Sequence, residues 1–205
     1  MSDPATTTPT PPAERRVAGG PVLQDEVTRA LTTAFFEELA ATGYGRLAME
    51  AVARRAGAGK AALYRRWPSK QAMTVALVSE VATASDIPDT GSLRGDVREF
   101  LHGWFAALSH PLAIRVIPDL MAEASRNDEL GEALLTRVRD PRREQAARLL
   151  RRAAERGELP PDADTELNLD FLASPVYWRM AVVRTPTGDD YLDRLTAKVV
   201  AALTA

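Results

Sequence analysis

From Val22 to Leu203 apolar residues recur at three- and four-residue spacing, and no stretch sustains the alternation of a half-buried strand. That period constrains the chain more than any other feature. An apolar stripe on a helix must be covered, and with no strands on offer the cover is another helix. Alanine and leucine, both strong helix formers, are abundant, and no Asn-Gly or Asp-Gly hairpin turn occurs. The expected fold is all-α, with about nine helices.

Glycine, proline and capping residues divide the pattern. The first helix is expected over about 22–41, with Val27, Leu31, Phe35 and Leu39 on one stripe and Gly43 and Gly45 ending it. A short helix over about 48–56 and another over about 60–66 flank the turn Gly57-Ala58-Gly59. Trp67 precedes Pro68 and so leaves helical geometry. Ser69 caps a helix to about 84, and residues 86–91 form a loop. Further helices are expected over 92–109, 111–126 with a kink at Pro118, 128–156 with an interruption at Pro141, 164–184 capped by Asp164, and 189–203. Residues 1–20, rich in proline and threonine, are expected to be a disordered tail. The division that follows is a helix-turn-helix unit at 21–68, a connecting helix at 69–84 and a larger helical domain at 92–205.

Composition narrows the chemistry. The 205 residues include no cysteine, which excludes disulfides, thiol catalysis and Cys-ligated metals. Two histidines, His102 and His110, are too few for a multi-His metal site within one chain. Glu99 and His102 have the Glu-x-x-His spacing of di-iron bundles, but a second copy and two further glutamates are not apparent. Gly59-Lys60 ends like a phosphate loop, yet Arg54 stands where that motif needs glycine and Ala61 where it needs Ser or Thr. No enzyme and no cofactor is expected. No apolar run approaches a membrane span, and MSDPATTTPTPP lacks the apolar core of a secretory signal, so the expected location is cytoplasmic.

Charge is uneven. The net charge is −2, but residues 44–79 hold Arg46, Arg54, Arg55, Lys60, Arg65, Arg66 and Lys70 against one acid, Glu50. That window carries +6 and the remainder −8, which points to a polyanionic partner for one part of the molecule. Two short helices around a glycine turn in the same window form a helix-turn-helix. The second begins Gly59-Lys60-Ala61-Ala62, slim enough to enter a major groove, with its positive dipole end toward phosphates. Tyr64 and Lys70 can reach phosphates, while Leu63 and Trp67 face inward.

The run GYGRLAMEAVARRAGAGKAALYRRWPSK, residues 43–70, resembles the DNA-binding segment of the TetR family of bacterial transcriptional repressors. The match is close at Ala56-Gly57, at Leu63-Tyr64-Arg65-Arg66-Trp67 and at Pro68-Ser69-Lys70, and its strong part covers about 22–80. The resemblance implies an all-helical two-fold dimer, double-stranded DNA as partner, and a C-terminal domain whose small ligand releases the DNA. On this reading Arg46, Ala48, Gly59, Lys60, Ala61, Ala62, Tyr64, Arg65 and Lys70 are the candidate DNA-binding residues. Ala48, Gly59 and Ala62 stand where the family commonly has hydroxyl residues. A second reading, a helical ligand-binding or dimerisation module with weakened or lost DNA binding, rests on those three positions.

The C-terminal segments Glu155-Arg156-Gly157-Glu158-Leu159 and Pro175-Val176-Tyr177-Trp178-Arg179 resemble a common subtype of the same repressors. Leu167, Phe171, Pro175, Trp178 and Val182 form one stripe; Leu169, Leu172, Val176 and Val183 form a second. A helix apolar on two sides needs cover on two sides: one side can meet its own core and the other a second copy, or both can be core of one chain. The candidate dimer residues are Pro175, Trp178, Arg179, Val182, Tyr191, Leu192, Leu195 and Val199, the last helix adding a near-heptad seam. Phe100, Trp104, Phe105, Arg115, Met121, Phe171 and Tyr177 are the candidate lining of a pocket for a small, mostly apolar ligand, with His102 and Asp119 as further polar anchors.

Overall fold

The computed structural model describes residues 21–160, 162–163, 165–185 and 187–205. The expected tail at 1–20 and the Asp164 cap lie outside the described residues. The order is α1 (Pro21–Thr42), α2 (Met49–Arg55), α3 (Lys60–Tyr64), α4 (Lys70–Thr83), α5 (Leu93–Ser109), α6 (Ala113–Ala124), α7 (Asp128–Leu134), α8 (Asp140–Glu155), α9 (Thr165–Tyr177) and α10 (Asp189–Leu203). Two wide π turns, Leu135–Arg139 and Trp178–Val183, join α7 to α8 and extend α9. Taking α7, its wide turn and α8 as one rod gives nine helices among the described residues, as expected. The fold is all-α.

Local chemistry sets several boundaries. The Ser69 hydroxyl accepts from the Ala72 N–H, and the Ser92 hydroxyl from the Gly95 N–H, so both serines cap the helices they precede. Gly57 has φ +63, the left-handed geometry the turn between α2 and α3 requires. The helix expected over 128–156 widens at 135–139, just ahead of Pro141. Proline cannot donate to the Arg137 carbonyl four residues back. That carbonyl instead accepts from the Ser79 hydroxyl of α4 at 2.7 Å.

Two apolar clusters hold the fold. One joins Leu31, Phe35 and Leu39 of α1 to Val52, Leu63, Met73 and Leu77, and also takes in Val116 and Leu120 of α6 and Leu130 of α7. The other packs Val97 and Leu101 of α5 against Leu149 and Ala153 of α8, Leu172 and Val176 of α9, and Val199 and Leu203 of α10. The first cluster thus reaches beyond α1–α4 into helices that follow the 86–91 loop.

That loop is tied down by charge. Asp96 is fully buried, and its carboxylate accepts from the Thr90 N–H at 2.6 Å, the Thr90 hydroxyl at 2.8 Å and Arg156 at 3.0 Å. Glu158 accepts from Arg156 and from the Leu93 N–H, both at 2.8 Å. Every oxygen of this group that the fold buries has a donor, which is the condition for a charge to stay inside.

Two expectations need correcting. Leu192 and Val199, expected at a seam between copies, are 1% and 3% exposed in the single chain, because α10 lays its apolar side on α5 and α9. A helix with one apolar seam buries it on the nearest apolar surface, here its own chain's. Val183, expected on one stripe with Leu169, Leu172 and Val176, is exposed while those three are buried, since the wide turn at 178–183 changes the angular step per residue.

Candidate nucleic-acid interface

The helix-turn-helix is held from behind. Leu63 has no exposed surface, and Trp67 packs against the same cluster, so α3 is fixed by its inner side. Arg66 ties α3 to α1: its guanidinium donates to the Thr28 hydroxyl at 3.0 Å, the Ala62 carbonyl at 2.9 Å and the Gln24 carbonyl at 3.2 Å. Arg55 is also committed internally, pairing with Glu38 at 2.8 Å.

The opposite side of α3 carries the sequence candidates. Gly59, Lys60, Ala61, Tyr64 and Arg65 are exposed, Ala62 is half-buried, and Ala48 is exposed at the start of α2. Neither Ala48 nor Gly59 makes a side-chain cap. Arg46 is exposed and its Nε donates to the Thr42 carbonyl at 3.1 Å. Lys70 is used differently from expectation. It is half-buried, and its ammonium donates to the Tyr44 carbonyl at 2.8 Å and the Gly45 carbonyl at 3.3 Å, 4.3 Å from the Tyr44 ring centroid. Two of its three donors hold the turn before α2.

Sequence reasoning missed the role of Glu50. Its carboxylate lies at the start of α2, accepts from the Tyr64 hydroxyl at 3.0 Å, and stands 3.9 Å from the Lys60 ammonium. Its own backbone N–H, the Tyr64 hydroxyl and Lys60 hold this carboxyl below the usual carboxylate range. The same hydrogen bond pushes the Tyr64 phenol up. The signal available was that Glu50 is the one acid in the basic window; its partners, fourteen and ten residues on, required the fold.

The C-terminal candidates divide: the Tyr177 hydroxyl donates to the Met121 sulfur at 3.0 Å, while others stand apart. Phe100, Trp104, Phe105 and Tyr177 are half-buried against the second cluster. Trp104 donates to the Ala173 carbonyl at 3.2 Å and carries the Arg142 guanidinium 4.0 Å above its ring. Arg115, Met121 and Phe171 are exposed. Asp119 is committed to the Tyr44 N–H. Surface grooves lie beside Arg29, Glu37 and Arg55 and beside Ile87, Arg148 and Arg152. No helix among the described residues is long and apolar enough to cross a membrane.

The outer stripe of α9 and its wide turn is open. Leu167, Phe171, Trp178 and Val182 are 52%, 43%, 61% and 51% exposed, with Pro175 half-buried between them. Arg179 stacks 4.6 Å from the Tyr191 ring, and both are half-buried, as is Leu195.

A braced helix-turn-helix on a larger helical body defines a class of DNA-binding regulators, and comparison with known proteins agrees. The family model described as "Bacterial regulatory proteins, tetR family" matches residues 31–77, and that described as "Tetracyclin repressor-like, C-terminal domain" matches 87–199. An uncharacterised helix-turn-helix transcriptional regulator of Bacillus subtilis, YdeS, is 31% identical over 82% of this chain and 86% of its own. A DNA-binding transcriptional repressor TetR of Mycobacteroides abscessus is 30% identical over 85% of this chain and 92% of its own. The crystal structure of the TetR family regulator SCO0332 superposes with a TM-score of 0.65 at 30% identity, covering 86% of this chain and 97% of that one. The chain belongs to the TetR family of DNA-binding transcriptional regulators.

Proposed function

We propose that the protein is a ligand-responsive repressor that binds a palindromic operator as a homodimer. The observation that carries this is the two-sidedness of α3: Leu63 anchors its inner side, while Gly59, Lys60, Ala61, Tyr64 and Arg65 lie together on the outer side. Lys60 and Tyr64 hold phosphates, and Ala61 and Ala62 meet base edges such as thymine methyls. Arg46 and Arg65 add backbone contacts. In this division residues 21–68 bind DNA, 69–84 connect, and 92–205 bind ligand and dimerise. The open stripe from Leu167 to Val182 covers its counterpart on a second copy, with Arg179, Tyr191 and Leu195 beside it. Two copies present two α3 helices about one DNA turn apart.

The ligand is a small, mostly apolar molecule entering among Phe100, Trp104, Phe105 and Tyr177. Its signal passes through α4, whose last turns are tied to the C-terminal helices: Arg142 donates to the Ala82 carbonyl and Gln145 to the Thr83 carbonyl, each at 3.3 Å. Regulation requires that the ligand prefer one α4 position over the other.

Fluorescence anisotropy against the DNA upstream of the protein's own gene, titrated across salt, tests this reading. Tight binding that outcompetes random duplex and weakens steeply with salt is the expected result. Binding no better than random DNA at every salt overturns sequence-specific recognition at that site and favours the second reading, for which the uncapped Ala48 and Gly59 speak. Ala48→Ser then decides. A restored cap adds about 1 kcal/mol of stability, and recovery of specific binding assigns the weakness to the lost hydroxyl.

A further inference from the structure

Tyr64 has one hydroxyl proton, and in the free protein it is given to Glu50. Lys60, the other outward donor of α3, stands over the same carboxylate oxygen at 3.9 Å. A phosphate approaching α3 therefore meets two donors already turned toward an anion. It also meets that anion itself, half-exposed and of its own sign. We propose that Glu50 is an internal competitor for DNA phosphate, holding Tyr64 and Lys60 against the protein until the duplex displaces it. The inference rests on the reading of α3 as the DNA-contacting helix.

The consequence is a lowered affinity for every duplex, specific or not, because phosphate contacts carry no sequence information. A penalty equal for every duplex cancels from the difference between specific and random DNA, so the carboxylate lowers affinity and leaves discrimination unchanged. Glu50 acts here as a positioning residue, through the two donors that it holds.

The test uses the full-length chain and a labelled random-sequence duplex at about 50 mM salt. Glu50→Gln keeps the side chain's size and removes its charge. The expected result is tighter binding by about threefold or more, the scale of a released exposed ion pair and charged hydrogen bond. The same substitution in a Tyr64→Phe/Lys60→Met background should give little or no gain, since the donors it frees are gone. Thermal melting of each variant separates this from a structural role, which would lower the midpoint without tightening binding.

Unchanged or weaker binding by Glu50→Gln overturns the proposal. So does an equal gain in both backgrounds, which would mark a diffuse charge effect. If neither the unsubstituted protein nor Glu50→Gln binds duplex DNA at low salt, the reading of α3 falls and this inference with it. Binding by the unsubstituted protein with no gain from Glu50→Gln rejects the inference alone.

Discussion

The Asp119 carboxylate of α6 accepts a hydrogen bond at 2.7 Å from the backbone N–H of Tyr44, seventy-five residues earlier. The pair ties the turn before α2 to the helices beyond the connecting α4, and Gly43 is what makes it possible. Gly43 has φ +75, and a Cβ there would lie 2.8 Å from the Asp119 Oδ1.

Gly43→Ala therefore meets both a strained backbone and a crowded carboxylate. The left-handed geometry alone costs about 1–2 kcal/mol. Asp119→Ala leaves the N–H of a buried residue without its charged acceptor, at about 1.5–3 kcal/mol. Urea denaturation should show both losses. Because both act on one contact, the double variant should lose less than the sum.

The open α9 stripe gives a second expectation. Trp178 is the largest and most exposed of its apolar side chains. If a second copy covers it, Trp178→Glu places a charge in an apolar interface and costs about 2 kcal/mol or more of association. Sedimentation should then show dimer for the unsubstituted protein and a shift to monomer for the variant. Monomer in both would reject the stripe as the dimer surface.

Acid stability follows from Asp96. Burial alone would push its carboxyl up, but the donors at Thr90 and Arg156 outweigh burial and hold it below the ordinary value. A depressed folded pKa contributes stability above the unfolded value, about 3.9, and that contribution is lost as pH falls through the folded value. Asp96→Asn should cost about 1.5–3 kcal/mol at neutral pH, the scale of hydrogen bonds to a charged group, because Arg156 keeps Glu158 as partner. The variant's stability should also vary less than the unsubstituted protein's on acidification below about pH 4. Melting curves across pH measure both.

Much of the fold is legible along the chain. Ser69 and Ser92 cap where their spacing says, and the α1 stripe of Leu31, Phe35 and Leu39 is buried as its period demands. These are properties of neighbours three or four residues apart, which a helix brings together whatever surrounds it. The candidate site was legible as residue types but not as pairings. Lys70 and Lys60 look alike in sequence, yet one braces a turn and the other stands outward. Nothing within a few residues of either distinguishes them.

The sequence by itself determined an all-α chain, where its helices break, and which short segment carries the positive charge. Tertiary structure decided which partner each stripe and each charge received. Leu192 and Val199 went to their own chain's core while Leu167 and Trp178 stayed open. Ser79 took the carbonyl that Pro141 could not serve, and Glu50 came to stand between Tyr64 and Lys60. The physical reason is range. Helix periodicity and capping are fixed by covalent neighbours, whereas burial and pairing depend on which surfaces meet once the helices pack.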